Sequence, residues 1–174
     1  NYPSGVLAAA GGVLVTAAPE IWFLKDTDGD GVADQQRIVL TGFGEGNQQL
    51  RVNGLAWGLD NWIYGANGRS DGSIRRPDQP AEQAVSIRGR DFRFRPDGKA
   101  FEASSGQSQF GQALDDWGNR FVSWNTIPIR HVLFDRAFLE RNPRLAQHGV
   151  REIADPADKG RVFPISPRPK TFNQ

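Results

Sequence analysis

The sequence predicts an all-β protein, specifically a partial β-propeller built from four-stranded antiparallel blades. Short segments rich in β-branched and aromatic residues alternate with turns, and the 174 residues include 20 glycines and 11 prolines. A weak internal repeat also recurs roughly every 50 residues, which is the spacing of propeller blades. We therefore expect about two and a half to three blades in one partial domain spanning residues 1–174.

The first blade is predicted to cover residues 5–43. Gly5–Ala17 is typical of a hairpin closed at Gly11-Gly12, because glycine accepts the positive φ angles that a two-residue turn requires. Ile21–Leu24 and Arg37–Leu40 are expected to form the third and fourth strands, joined by an acidic loop.

The second blade is predicted to cover residues 52–104. It begins with a hairpin aligned on the first one, with Asp60-Asn61 at its turn, and ends with strands at Asp91–Arg95 and Ala100–Ala103. Alternation places Phe92 and Phe94 on one face of their strand. The long connection that starts at Gly65 is either a binding loop or a disordered surface excursion.

The third blade is predicted to cover residues 110–165, with a turn at Gly118-Asn119, and to continue through Ile129–Phe134. A short helix is expected near 135–142, with Asp135 as its N-cap. Arg161–Ile165 is expected to supply a further strand. Because a propeller is closed by more blades than this, we expect the chain to be a fragment with apolar, exposed terminal sheet faces.

Composition excludes several classes of function. Lys and Arg total 21 against 20 Asp and Glu, so a formal net charge of +1 disfavours a general nucleic-acid binder. The absence of cysteine excludes disulfides, cysteine nucleophiles and a c-type haem from this stretch of chain. No apolar run reaches the roughly 18 residues of a membrane helix, so no direct membrane span is expected.

The acidic loop resembles the first part of an EF-hand calcium loop. Carboxylates occupy its positions 1, 3, 5 and 9, a glycine occupies position 6, and position 7 would offer a backbone carbonyl. The predicted calcium ligands are Asp26, Asp28, Asp30, Val32 and Asp34. Position 12 holds Arg37 in place of glutamate, and the alternative interpretation is a solvated turn without metal.

Binding residues are expected at the sheet edge opposite the acidic loop, where the blade-to-blade connections carry unusual polar residues. The candidate substrate- or cofactor-binding residues are Gln49, Arg51, Asn53, Asn67, Arg69, Asp71 and Arg130. His131 is a weak candidate for a general base, because a loop histidine beside an arginine is more often a hydrogen-bonding residue.

Six motifs stand out along the chain: Lys25–Asp34, Arg51–Gly68, Arg88–Asp97, Ser105–Gly111, Asp115–Asn119 and Arg161–Ile165. Together they resemble the N-terminal propeller of one family, the membrane-bound dehydrogenases of planctomycetes and verrucomicrobia. That family is similar to the glucose/sorbosone dehydrogenase propellers. The resemblance implies a periplasmic, extracellular or cell-surface protein, with calcium, pyrroloquinoline quinone, and a c-type haem domain outside this chain.

One departure from the related quinoproteins concerns catalysis. They carry a catalytic histidine eight residues before the glycine that corresponds to Gly58, and this chain has Leu50 there. Two hypotheses therefore stand. The first is a propeller module of an exported quinone-dependent dehydrogenase that oxidises a sugar or polyol. The second is a non-catalytic propeller that binds carbohydrate or acts as a scaffold, with a structural calcium site. In both, the remaining blades of a parent protein are the partners.

Overall fold

A computed structural model of the chain describes residues 2–142, 144 and 149–153. These residues form an all-β fold with three antiparallel sheets and one short α-helix, α1 (Arg136–Leu139). In the described residues, no helix is long and apolar enough to cross a membrane. In chain order, the strands are β1 (Gly5–Ala9), β2 (Gly12–Ala17), β3 (Glu20–Lys25), β4 (Gln35–Phe43), β5 (Asn53–Trp57), β6 (Ile63–Ala66), β7 (Gly72–Arg75), β8 (Val85–Ser86), β9 (Asp91–Phe94), β10 (Phe101–Ser104), β11 (Gln112–Leu114), β12 (Arg120–Val122), β13 (Arg130–Val132) and β14 (Val150–Glu152).

Sheet 1 contains the four predicted strands and two more, in the order β1-β2-β3-β4-β7-β8. The extra pair comes from the long connection after β6, which is therefore neither disordered nor a simple loop. Strand β7 covers the open edge of β4, with Thr41 opposite Arg75 and Phe43 opposite Gly72. The backbones of β4 and β7 are so close that a Cβ on Gly42 would lie 2.1 Å from the Ser73 carbonyl oxygen.

Sheet 2 (order β5-β6-β9-β10) and sheet 3 (order β11-β12-β13-β14) each have four strands in sequential order. The fourth strand of sheet 3, Val150–Glu152, was not predicted, and the predicted strand Arg161–Ile165 lies outside the described residues. The predicted helix near 135–142 is shorter, at Arg136–Leu139. Asp135 precedes it, but its side chain makes no capping hydrogen bond and instead pairs with Arg93 at 3.1 Å.

The three predicted hairpins are present, but their turns differ from the prediction in position or length. In the first hairpin Ala9 pairs with Gly12, so the turn residues are Ala10 and Gly11, one position earlier than predicted. Their φ angles are 49° and 72°. The second and third hairpins have five-residue connections, 58–62 and 115–119. Asn61 and Gly118 occupy the same position in these connections, and both have positive φ.

One hydrophobic core lies mainly between sheets 1 and 2, and it confirms the predicted alternation in β9. Phe92 and Phe94 are fully buried, and the Phe92 ring also contacts Phe43 with 4.9 Å between ring centroids. Gly65 makes room for that ring, because a Cβ there would lie 2.2 Å from Phe92. Arg93 points to the other side and pairs with Glu102.

The face of sheet 1 that does not join this core is also apolar. Leu14 and Ile21 are completely buried in the core. Alternating residues on the same strands face the other way and are only partly buried, among them Val13, Val15 and Trp22. Val6 of β1 is 67% exposed.

A buried polar network ties sheet 2 to sheet 3. The Asp91 carboxylate is fully buried, and it accepts hydrogen bonds from the backbone N–H of Asn67 and of Ser108. It also pairs with Arg120 of β12 at 3.2 Å. Arg120 is 5% exposed and donates in addition to Gln112 of β11. This network fixes the connections that precede β11 and thereby positions the neighbouring surface.

Candidate functional site

A polar cleft of about 490 Å³ opens at the edge opposite the acidic loop. Every second connection of an antiparallel sheet lies at the same edge of that sheet. The cleft residues come from four chain segments at this edge, close to the first strands of the three sheets. The lining residues are Ser4, Gln48, Gln49, Arg51, Asn53, Phe110 and Asn125. Three predicted binding residues, Gln49, Arg51 and Asn53, are therefore brought together here.

Backbone carbonyls orient the two central side chains of the polar cleft. The Asn53 amide nitrogen donates to the carbonyls of Arg51 and Gln109, at 2.8 and 2.9 Å. In the described structure, its amide oxygen accepts no hydrogen bond from another residue and stays available as an acceptor. The Arg51 guanidinium donates to the Glu45 carbonyl at 3.1 Å and lies over the Tyr2 ring. The cleft thus combines a fixed cation with several amides.

Sequence reasoning missed the polar cleft's other lining residues. Phe110 is 52% exposed, so its ring offers an apolar platform next to the amides. Asn125 is held by a hydrogen bond from its backbone N–H to the Gln109 side chain. Both residues lie in connections that the repeat assigns to the same edge as Arg51, which is the signal that could have identified them.

Asn67 and Asp71, also predicted as binding residues, lie elsewhere and have structural contacts. Asn67 is 1% exposed, and its amide nitrogen donates to the Ile87 carbonyl at 2.9 Å. Asp71 accepts the backbone N–H of Gly89 at 2.9 Å. Both side chains therefore bind backbone groups farther along the same connection between β6 and β9.

Arg69 and Arg130 meet at Trp124, and neither arginine lines the polar cleft. Their guanidinium carbons lie 4.6 and 4.3 Å from the centroid of the Trp124 ring. The Trp124 indole N–H donates to the Gln107 carbonyl, which fixes the ring. Two predicted binding residues are therefore grouped around one aromatic side chain in the connection between β12 and β13.

His131 lies within β13 rather than in a loop. Its ring stacks on Phe121, the residue opposite it on β12, with 4.9 Å between ring centroids. It lines neither the polar cleft nor the surface around Trp124. In the described structure its contacts are those of a packing residue on one sheet face.

The acidic loop joins β3 to β4, as predicted, and curls around its own backbone N–H groups. The Asp26 carboxylate accepts from Gly29 at 2.7 Å and from Gly31 at 2.8 Å, and these bonds lower the pKa of Asp26. Asp34 accepts from the backbone and hydroxyl of Thr27, and its pKa is lowered for that reason.

Three of the predicted calcium ligands converge in this loop. One carboxylate oxygen each from Asp26, Asp28 and Asp34 lies within 4.8 Å of the others. Asp30 is not part of this group, and its carboxylate accepts the backbone N–H of Val32 at 2.7 Å. The separation suits an ion that binds oxygens at about 2.3–2.6 Å, although the group supplies fewer ligands than the six to eight that calcium takes.

The chain belongs to a protein family that is described as a domain of unknown function (DUF7133), which matches residues 1–174. No curated protein and no solved structure shows significant similarity to it.

Proposed function

We propose that this chain is a non-catalytic binding module that recognises neutral carbohydrate in the polar cleft. The observation that carries the proposal is the composition of the lining, in which amides, one guanidinium and one hydroxyl surround the exposed ring of Phe110. Amide and guanidinium groups form hydrogen bonds in defined directions with hydroxyl groups. An aromatic ring packs against the apolar face of a sugar.

The same lining argues against acid–base chemistry in the polar cleft. Sugar oxidation by hydride transfer requires a group that takes a proton from the substrate hydroxyl. The described lining residues include neither a histidine nor a carboxylate, and His131 is stacked on Phe121. The donor set therefore does not fit the quinone-dependent reaction, and the dehydrogenase hypothesis stays a prediction from the resemblance alone, as does an exported location.

We propose further that the three sheets are blades of a β-propeller. Two observations support this. Each sheet contains four strands in sequential antiparallel order, and the first strands lie side by side, with β5 in contact with both β1 and β11. The apolar outer face of sheet 1, including Val6 and Trp22, is the kind of surface that a neighbouring blade covers.

Isothermal titration calorimetry with neutral hexasaccharides of glucose, xylose and mannose tests the carbohydrate proposal. We expect binding of at least one of them, and we expect Phe110→Ala to weaken it about tenfold through loss of the aromatic platform. Phe138→Ala is the matched control, because Phe138 is also exposed, at 63% against 52% for Phe110, and lies on α1. Failure of all three sugars to bind, or equal losses in both variants, would overturn the proposal.

We also propose that the acidic loop binds calcium as a structural site, which the convergence of Asp26, Asp28 and Asp34 supports. Calcium would relieve the repulsion among these carboxylates and should raise the melting temperature, with EDTA reversing the effect. Asp28→Ala should abolish the calcium dependence, whereas Asp97→Ala in the β9–β10 turn should retain it. If the melting temperature does not change with calcium, the acidic loop is a turn without a calcium site.

A further inference from the structure

A second cleft, of about 780 Å³, lies beside the outer strands of sheets 2 and 3. We call it the arginine cleft. Its walls come from the residues that flank β9 and β10, from Trp124, and from α1 with the start of β14. It shares no lining residue with the polar cleft, so it requires its own explanation.

The lining of the arginine cleft is positively charged. Three arginines, Arg90, Arg130 and Arg136, face a single carboxylate among the described lining residues, that of Glu140. Glu140 is already paired with Arg136, one helical turn away. In the described part of the chain, neither Arg90 nor Arg130 forms an ion pair or a side-chain hydrogen bond. The cleft therefore retains two positive charges that no described carboxylate offsets.

Trp124 brings a further positive charge close to Arg130. Arg69 and Arg130 both lie over the Trp124 ring, at 4.6 and 4.3 Å from its centroid. The ring attracts each cation, but two guanidiniums held within about 9 Å of each other also repel. A bound anion would remove this repulsion while the ring keeps both arginines in place.

The arginine cleft contains several hydrogen-bond donors, and one of them lacks a partner. The buried Nε of Arg130 has no hydrogen-bond partner in the described structure, which is unusual for a buried N–H group. Ser105 adds a hydroxyl and Gln107 an amide to the same lining. Guanidinium groups bind carboxylate and phosphate oxygens through paired, charge-assisted hydrogen bonds. The cleft volume suits a small molecule rather than a single ion.

We propose that the arginine cleft binds a small anion that carries carboxylate or phosphate groups, with Arg90 and Arg130 as the principal ligands. The Trp124 ring holds Arg130 in position, and Arg69 adds positive charge nearby although it does not line the cleft. Because the two clefts have separate linings, this proposal does not depend on carbohydrate binding in the polar cleft.

Calorimetry with citrate and with pyrophosphate tests the proposal at low ionic strength, and the two probes separate carboxylate from phosphate recognition. We expect at least one to bind, and Arg90→Gln and Arg130→Gln each to weaken that binding about tenfold or more. Raising the salt concentration should weaken it as well. The matched control is Arg37→Gln, which removes a guanidinium stacked on Phe23, far from the cleft, and should leave the affinity within about twofold.

The indole N–H resonance of Trp124, assigned with Trp124→Phe, locates the binding. It should shift on addition of the bound anion, and melting curves identify any variant that fails to fold. Arg90→Gln keeps the test decisive if Arg130→Gln is unstable, because in the described part of the chain Arg90 does not stack on the Trp124 ring. Absence of binding by both anions, an equal loss in Arg37→Gln, or an unmoved Trp124 resonance would each overturn the proposal.

Discussion

Replacing Asp91 with alanine is expected to destabilise the fold more than any surface change, because it removes the centre of the network between sheets 2 and 3. The substitution takes away the acceptor of two backbone N–H groups and the partner of a guanidinium that is 5% exposed. Among the described residues, Arg120 would then remain as a buried charge that contacts neutral groups, the side chains of Gln112 and Ser104 and the Tyr64 ring.

The size of the effect follows from these contacts. Breaking a buried ion pair by removing one partner costs about 3–5 kcal/mol, because the other charge stays desolvated. Each buried N–H that loses its acceptor adds roughly 1 kcal/mol or more. With two such N–H groups, we therefore expect a loss of about 5–7 kcal/mol, which is a large part of the 5–15 kcal/mol that stabilises an ordinary domain.

Urea unfolding followed by tryptophan fluorescence measures this loss. The control is Asp78→Ala, which removes an exposed ion pair with Arg76 and should leave the unfolding midpoint unchanged. Adding Arg120→Leu to Asp91→Ala should restore about 2 kcal/mol of the lost free energy of unfolding, because the double variant has no unpaired buried charge at this position. If Asp91→Ala proved as harmless as Asp78→Ala, the network would not be a structural link between the sheets.

Two further predictions concern a titration and a close backbone approach. Burial raises the pKa of Tyr64 above its ordinary value. Its contribution to the free energy of unfolding should therefore be fully present below about pH 10 and be lost as the pH rises further, because the tyrosine ionises first in the unfolded chain. Absorbance titration of Tyr2→Phe isolates Tyr64, since the chain has two tyrosines, and ionisation at or below the ordinary value would contradict this prediction. Gly54→Ala should cost at least about 2 kcal/mol, because φ is 58° and the new Cβ would lie 2.5 Å from Gly111 Cα. Gly29→Ala, also at positive φ but with no atom within 4 Å, should cost less in urea unfolding, and equal losses would show that the contact is unimportant.

Local patterns in the sequence predicted much of the fold. Alternation identified Phe92 and Phe94 as core residues and Arg93 as their outward neighbour, because a strand exposes successive side chains on opposite faces. Glycine and asparagine located the hairpin turns to within one residue. These features depend on interactions between neighbours in the chain, which is why sequence alone reveals them.

Long-range pairing could not be predicted in the same way. The pairing of β7 with β4 depends on an open sheet edge, and nothing in Gly72–Arg75 indicates which edge it covers. Asn67 resembles an ordinary loop residue until the Asp91 carboxylate and the Ile87 carbonyl are placed around it.

In the candidate site, too, local features could be predicted and long-range ones could not. The sequence alone groups Gln49, Arg51 and Asn53, because they are close together in the chain. Phe110 and Asn125 reach the same cleft only because three sheets place their connections side by side. Arg90 joins Arg130 for the same reason.

The most direct test of the carbohydrate proposal is a nuclear magnetic resonance titration that follows the side-chain amides of Asn53 and Asn125. A neutral hexasaccharide should shift both signals with the affinity measured by calorimetry, and should leave the amide of Gln107 in the arginine cleft unmoved. If a sugar binds but shifts Gln107 while the Asn53 and Asn125 amides stay in place, the polar cleft is not the carbohydrate site.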